Sequence, residues 1–172
     1  MIKLIGRVLY LTIGNLLPNA HQAFFLGLFG KWIRSLCGKM ILSKCGKNVN
    51  IYRLAKFSSK VELGNNSDIG FKANITGKCI IGDNVIMGPL CTIYTCNHII
   101  ERTDIAIKYQ GVSEEKPVFI GDDSWIGSHV IILPGVHIGK GCVIGAGAVV
   151  SKDVPDFVVA AGNPCRVVRK RV

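Results

Sequence analysis

The chain has 172 residues, with 21 Lys and Arg against 11 Asp and Glu. That length fits one domain with a real core, and 49% hydrophobic with 19% charged residues excludes a disordered or collagen-like chain. Its seven cysteines include no CxxC pair, which argues against a disulfide framework or structural zinc and for a reducing compartment.

From the N-terminus, Ile2, Ile5, Leu9, Ile13 and Leu16 are spaced as one helical face, and Pro18 and Asn19 break the pattern. A second helix is predicted from His21 to about Ser35, with Phe24, Phe25, Leu28 and Trp32 on one side. Lys3 and Arg7 interrupt the first stretch, and Val8 to Pro18 is short of the roughly 20 apolar residues a bilayer crossing needs. Ala20 and Ala23 miss the spacing of a signal-peptide cleavage site, so a cytoplasmic location is expected. Residues 1–61 hold ten basic side chains and no acid, while residues 62–172 hold eleven of each sign. The charge excess is therefore local. It reads either as a solvated face or as a site for an anionic partner, and it does not suggest nucleic acid. The helices are expected to pack on the domain or a partner subunit, or to make peripheral membrane contact within residues 1–61; the two are compatible.

A period of six residues then governs the chain. Stepping by six from Cys45 gives Ile51, Phe57, Leu63, Ile69, Ile75, Ile81, Met87 and Ile93. A second run gives Ile120, Ile126, Ile132, Ile138, Ile144 and Val150, so fourteen of fifteen positions are large and apolar. The next residue is Gly in nine cases, and the residue four on is small or β-branched: Val49, Ala55, Val61, Ser67, Ala73 and onwards. Neither a helix nor alternating strands repeats in this way. Short strands joined by tight corners do, with the large residue inside, the small one where corners crowd the axis and Gly relieving the bend. Stacked coils of parallel strands follow, with Cys45, Cys79, Cys91 and Cys142 as interior filler. The runs are out of phase and separated by residues 97–119, a loop long enough to carry function. The expected divisions are a helical basic segment (1–44), the repeat with its loop (45–160) and a basic tail (161–172).

The repeat, together with the segment IGDDSWIGSHVIILPGVHIGKGCVIGAGAVVSKDVPDFVVAAGNPCRVVRK, resembles the hexapeptide-repeat acyltransferases. It is most similar to the galactoside, maltose and xenobiotic acetyltransferase branch, and the N-terminal helices and DIAIKYQGV are nearer the bacterial surface-polysaccharide O-acetyltransferases. The resemblance implies an all-β fold, a left-handed parallel β-helix with N-terminal helices and one extruded loop. It also implies a homotrimer with acetyl-CoA bound between neighbouring β-helices, and no metal. The general rule for parallel crossovers favours the right hand, so the left hand comes from the resemblance alone.

The resemblance makes His98 of the Asn97-His98 motif the base that takes the acceptor hydroxyl proton, a role that suits an imidazole. It places Trp125, Ser128, Gly145, Ala146, Ser151, Lys152, Arg166 and Arg169 along the acetyl-CoA groove. Outward Trp125 would flank the pantetheine arm or a neighbouring subunit, the cations would meet the phosphates, and backbone N–H groups of Gly145-Ala146-Gly147 would face the cofactor or the oxyanion. Lys170 and Arg171 read as a solvated tail. Asn97 and Gln110 are candidate acceptor contacts by loop position. His129 and His137 point outward, too far apart in sequence for a zinc triad with His98, and Cys96 is a weak candidate nucleophile beside a direct transfer. The acceptor is expected to be a saccharide, lipid-linked or polymeric, at the inner face of the membrane. A small soluble acceptor (free sugar, antibiotic or serine) and a non-catalytic β-helix scaffold are the competing readings.

Overall fold

The computed structural model describes residues 1–20 and 22–171. His21, where the second helix was predicted to start, lies outside the described residues. Helix α1 (Ile2–Leu9) runs on through a π-turn at Tyr10–Gly14, and α2 spans Phe24–Ile41. The second helix thus continues past Ser35 to Ile41, because Cys37, Gly38 and Ile41 seat it on the open end of the repeat.

Among the described residues seventeen strands follow. They are β1 (Lys44–Cys45), β2 (Asn50–Ile51), β3 (Lys56–Phe57), β4 (Glu62–Leu63), β5 (Asp68–Ile69), β6 (Asn74–Ile75), β7 (Cys79–Ile81), β8 (Ile86–Met87) and β9 (Thr92–Ile93). After the loop come β10 (Val118–Ile120), β11 (Trp125–Ile126), β12 (Ile131–Ile132), β13 (His137–Ile138), β14 (Val143–Ile144), β15 (Val149–Val150), β16 (Val158–Ala161) and β17 (Arg166–Lys170). Successive strands turn onto three flat faces. The first holds β1, β4, β7, β10 and β13; the third holds β3, β6, β9, β12 and β15. On the second face β2 pairs with β5, and β8, β11, β14 and β16 continue the row to β17. All pairings are parallel except β16 with β17.

Each coil takes eighteen residues, since Lys44 lies beside Glu62 and Leu63 beside Ile81. Ile81 then pairs with Ile120, thirty-nine residues on, so twenty-one residues are extruded without disturbing the stack. The large and small positions of every hexapeptide line the interior, and Ile51, Leu63, Ile69, Ile81, Ile126 and Ile138 are among the fully buried side chains. Burial on this scale drives the fold, at roughly 25 cal/mol per Å² of apolar surface. Cys79, Cys91 and Cys142 are buried with the core, and burial pushes the first two thiols up to about 12 and about 11. Cys45 departs from the expected interior slot: it is only half-buried, because the stack ends there and α2 covers it incompletely.

The repeat glycines have a different cause from the one the sequence suggests. Gly70, Gly121, Gly127 and their equivalents do not adopt positive φ. Instead, a Cβ on Gly121 would lie 2.6 Å from Lys140 N, and one on Gly127 2.7 Å from Ala146 N, so glycine admits the backbone of the next coil. The left-handed residues come two positions later, at Asn48, Asn66, Asn84 and Asp123. There the asparagines stack into a ladder, Asn48 Nδ2 donating to Asn66 Oδ1 and Asn66 Nδ2 to Asn84 Oδ1, both at 3.1 Å.

Candidate active site

The extruded loop leaves from the corner between the third and first faces, and its root is an antiparallel ribbon. Ser113 N–H donates to Asn97 O (2.8 Å), Ile99 N–H to Gly111 O (3.1 Å) and Lys116 N–H to Thr95 O (2.7 Å), with His98 bridged to Val112. The far side is braced by Glu115, which accepts from Lys60 Nζ (2.6 Å) and from the Lys78 N–H. Lys60 beside Glu115 holds that carboxyl below its usual range. His98 therefore stands exposed on a fixed stem, with Asn97 exposed next to it. The ribbon ends at Pro117 and β10 begins at Val118, two residues inside the expected loop boundary. The reason is that Val118 fills the small interior position before Ile120.

Gln110 does not fit its expected part as an acceptor contact. Its amide donates to Arg102 O (2.7 Å) and Ile105 O (2.8 Å) and accepts from Arg102 N–H (3.1 Å), so it shapes the loop from within.

Trp125 is 53% exposed on the second face, in an outward row between Ile86 and Val143 that continues to Val159 and Arg169. Ser128 and Ala146 sit at the next corner, where Ser128 O accepts the Gly147 N–H (2.9 Å). Gly145 N–H is likewise spent on Ala160 O (2.8 Å), so two of the three expected backbone donors in Gly145–Gly147 are already engaged. Lys152 and Arg166 come together from distant positions. They line one cleft of about 240 Å³ with Asp153, Val154, Ala160, Cys165 and Val167 at the C-terminal end of the stack. Arg169 is not in that cleft; it closes the Trp125 row. Arg171 is exposed, as expected of the tail, but tethered: its guanidinium pairs with Asp123 (2.9 Å) and donates to Gly141 O (3.1 Å), fixing β17.

His129 is exposed at a left-handed corner and His137 is exposed against Phe119 (5.7 Å between rings). Among the described residues no three His, Cys, Asp or Glu side chains gather as a metal site. Sequence reading missed Asp68. It lines a cleft of about 380 Å³ on the second face with Tyr52, Phe71 and Ile86, and burial raises its carboxyl to about 6 against the pull of Lys31. Its outward place in the repeat files it with surface residues, whereas Asn19 and Gln22 join the lining of the cleft that encloses it.

This arrangement has close counterparts. The bacterial transferase hexapeptide pattern of six repeats matches residues 117–152. A maltose O-acetyltransferase from Clostridium difficile 630 superposes over 98% of this chain and 86% of its own, with TM-score 0.77 and 32% identity. The chain belongs to the hexapeptide-repeat acyltransferases. A galactoside acetyltransferase solved in complex with coenzyme A matches over 99% of this chain and 80% of its own, with TM-score 0.71 and 33% identity. The galactoside O-acetyltransferase of Escherichia coli K12 is 41% identical over 116 residues, 66% of this chain and 56% of that protein. The chain spans about half the length of the curated relatives it matches. Membership makes the solenoid a left-handed parallel β-helix, the hand that general crossover rules disfavour.

Proposed function

We propose that the protein is an acetyl-CoA-dependent O-acetyltransferase acting on a sugar hydroxyl. The observation that carries the reading is the likeness, over nearly the whole chain, to maltose and galactoside acetyltransferases, with an exposed histidine held at the root of the extruded loop. The residues suit the co-substrate. Lys152 and Arg166 offer two cations in one cleft for its phosphates, and the apolar row of Ile86, Trp125 and Val143 offers a wall for its pantetheine arm. When bound, acetyl-CoA supplies the acetyl group as a thioester. His98 takes the proton from the acceptor hydroxyl as general base, and Asn97 stands beside it as an acceptor contact.

The placement of these groups supports a homotrimer. His98, Ser151 and Lys152 share the edge between the third and first faces, whereas Trp125 and Ser128 lie on the second face and its far corner. One chain separates them by the filled β-helix, so a neighbouring copy completes the site. The acceptor is a lipid-linked or polymeric surface saccharide reached at the inner face of the membrane, with peripheral contact through residues 1–61. The excess of base in that segment supports this.

The test is CoA release from acetyl-CoA with a panel of free sugars and lipid-linked glycans, for wild type and His98→Ala. Acceptor-dependent release should fall by about 10² or more in the variant. Undiminished release would remove His98 from the mechanism, and absence of acetyl-CoA binding would leave a scaffold.

A further inference from the structure

The two N-terminal helices are packed inside out for a pair in water. Their packing uses small residues: a Cβ on Gly6 of α1 would lie 2.7 Å from Met40 Cβ on α2, and against the connecting segment one on Gly27 would lie 2.7 Å from Ala20 Cα and one on Gly30 2.7 Å from Pro18 O. Backbone meets backbone there, and Arg34, fully buried, locks the turn by donating to Gly14 O, Leu17 O, Pro18 O and Ile51 O. The large apolar side chains face the other way. On α2 the buried Gly27, Gly30, Arg34, Cys37 and Ile41 occupy one face, and helical spacing sets Phe24, Phe25, Leu28, Phe29, Trp32 and Leu36 opposite. Among the described residues, fifteen of the twenty-eight exposed large apolar side chains lie within the first thirty-six positions. Small residues in the seam and bulky ones outside is how helices pack when their surroundings are hydrocarbon.

The charge agrees with one kind of surroundings. Lys3, Arg7, Lys31 and Lys39 belong to the same pair of helices, and the first acid in the chain is Glu62. A contact between two copies of this hairpin would set those cations against their own equivalents with no acid to neutralise them. No described helix is long and apolar enough to cross a membrane. Helices with Phe, Trp and Leu on one side and Lys and Arg beside them lie in the interface of a bilayer.

We infer that the hairpin from α1 to α2 is a wedge that inserts Phe24, Phe25, Phe29 and Trp32 into the acyl boundary of an anionic bilayer, with Lys3, Arg7 and Lys39 at the headgroup phosphates. This deepens, and rests on, the proposed work at a membrane surface. It differs from electrostatic adhesion by residues 1–61 in predicting attachment that survives salt.

The test floats full-length protein with phosphatidylcholine vesicles with and without phosphatidylglycerol, at about 0.1 M and about 0.5 M salt. The variants are Phe25→Ser/Trp32→Ser, both exposed (82% and 60%), and Lys3→Gln/Lys39→Gln. Wild type should bind the anionic vesicles at both salts. The apolar double variant should lose about 30-fold or more in partitioning at both. The lysine variant should lose several-fold at low salt only. The apolar variant should keep wild-type circular dichroism and its rate on a soluble acceptor. Binding abolished by salt and indifferent to the Phe25 and Trp32 changes would overturn insertion and leave adhesion standing. No binding to any vesicle would overturn both. A smaller assembly in the apolar variant would mark the face as a contact between copies and overturn the wedge.

Discussion

Asp68 shows how a single carboxylate senses the fold around it. Enclosed beside Tyr52 and Ile86, it titrates at about 6, above its value in an unfolded chain. Folding therefore takes up a proton there. The associated stability is present below about pH 4 and is lost as pH rises through about 6. Asp68→Asn should raise stability at pH 7.5 by about 1 kcal/mol, a figure reduced for partial solvent access, and change little near pH 4. Urea unfolding at the two values checks it, and equal gains at both would mean the carboxylate is not desolvated. Arg34 makes the opposite point about charge. Counted in sequence with a basic surface, it spends its guanidinium on backbone carbonyls. Arg34→Met should strand those carbonyls and cost about 3 kcal/mol or more, releasing the hairpin first while the repeat stays folded. Hydrogen exchange would see this as lost protection confined to α1 and α2. Loss spread evenly over the strands would show that the hairpin and repeat unfold together.

At the scale of elements, the six-residue period has a simple physical basis. A side chain's depth in the solenoid depends only on its place in the repeat, so the interior from Val49 to Val154 could be read without coordinates. The reason for the glycines could not, because positive φ and close backbone approach select the same residue. Two substitutions separate them. A Cβ on Gly70 would run into Gly88 O and lie 2.8 Å from Met87 O, whereas one on Gly111, at φ +88, meets nothing within 4 Å. Gly70→Ala should cost about 2–4 kcal/mol and Gly111→Ala about 1 kcal/mol in urea unfolding. The reverse order would restore conformational freedom as the cause. The candidate site was legible more unevenly. Resemblance assigns Lys152 and Arg166 to the acetyl-CoA groove, and the structure shows only that they line one cleft, while Gln110 rests on loop position, which says nothing of where an amide's hydrogen bonds go. The ion pair that ties Arg171 to Asp123 needs the β16–β17 turn, which breaks the hexapeptide period and leaves no periodic signal.

For the whole molecule, the proposed reaction turns on how two separated sets of residues would act as one site. The loop carrying His98 leaves one edge of the triangular coil, and Trp125 stands on a face that does not meet that edge within the chain, with a packed interior between them. If neighbouring copies face the edge of one to the second face of the next, each site takes its base from one chain and its pantetheine wall from another. That geometry predicts complementation. In the proposed homotrimer, His98→Ala and Trp125→Ala assemblies should each be nearly inactive, yet dissociating and reassembling an equal mixture should restore activity. With random assembly about a quarter of the shared sites combine an intact His98 with an intact Trp125. Specific activity of the remixed sample should therefore approach about a quarter of wild type, while unmixed controls taken through the same cycle stay inactive. No recovery in trimers shown by mass to be mixed would place His98 and Trp125 of one chain in the same site, and the third-to-first edge would then have to close on its own second face through movement of the loop.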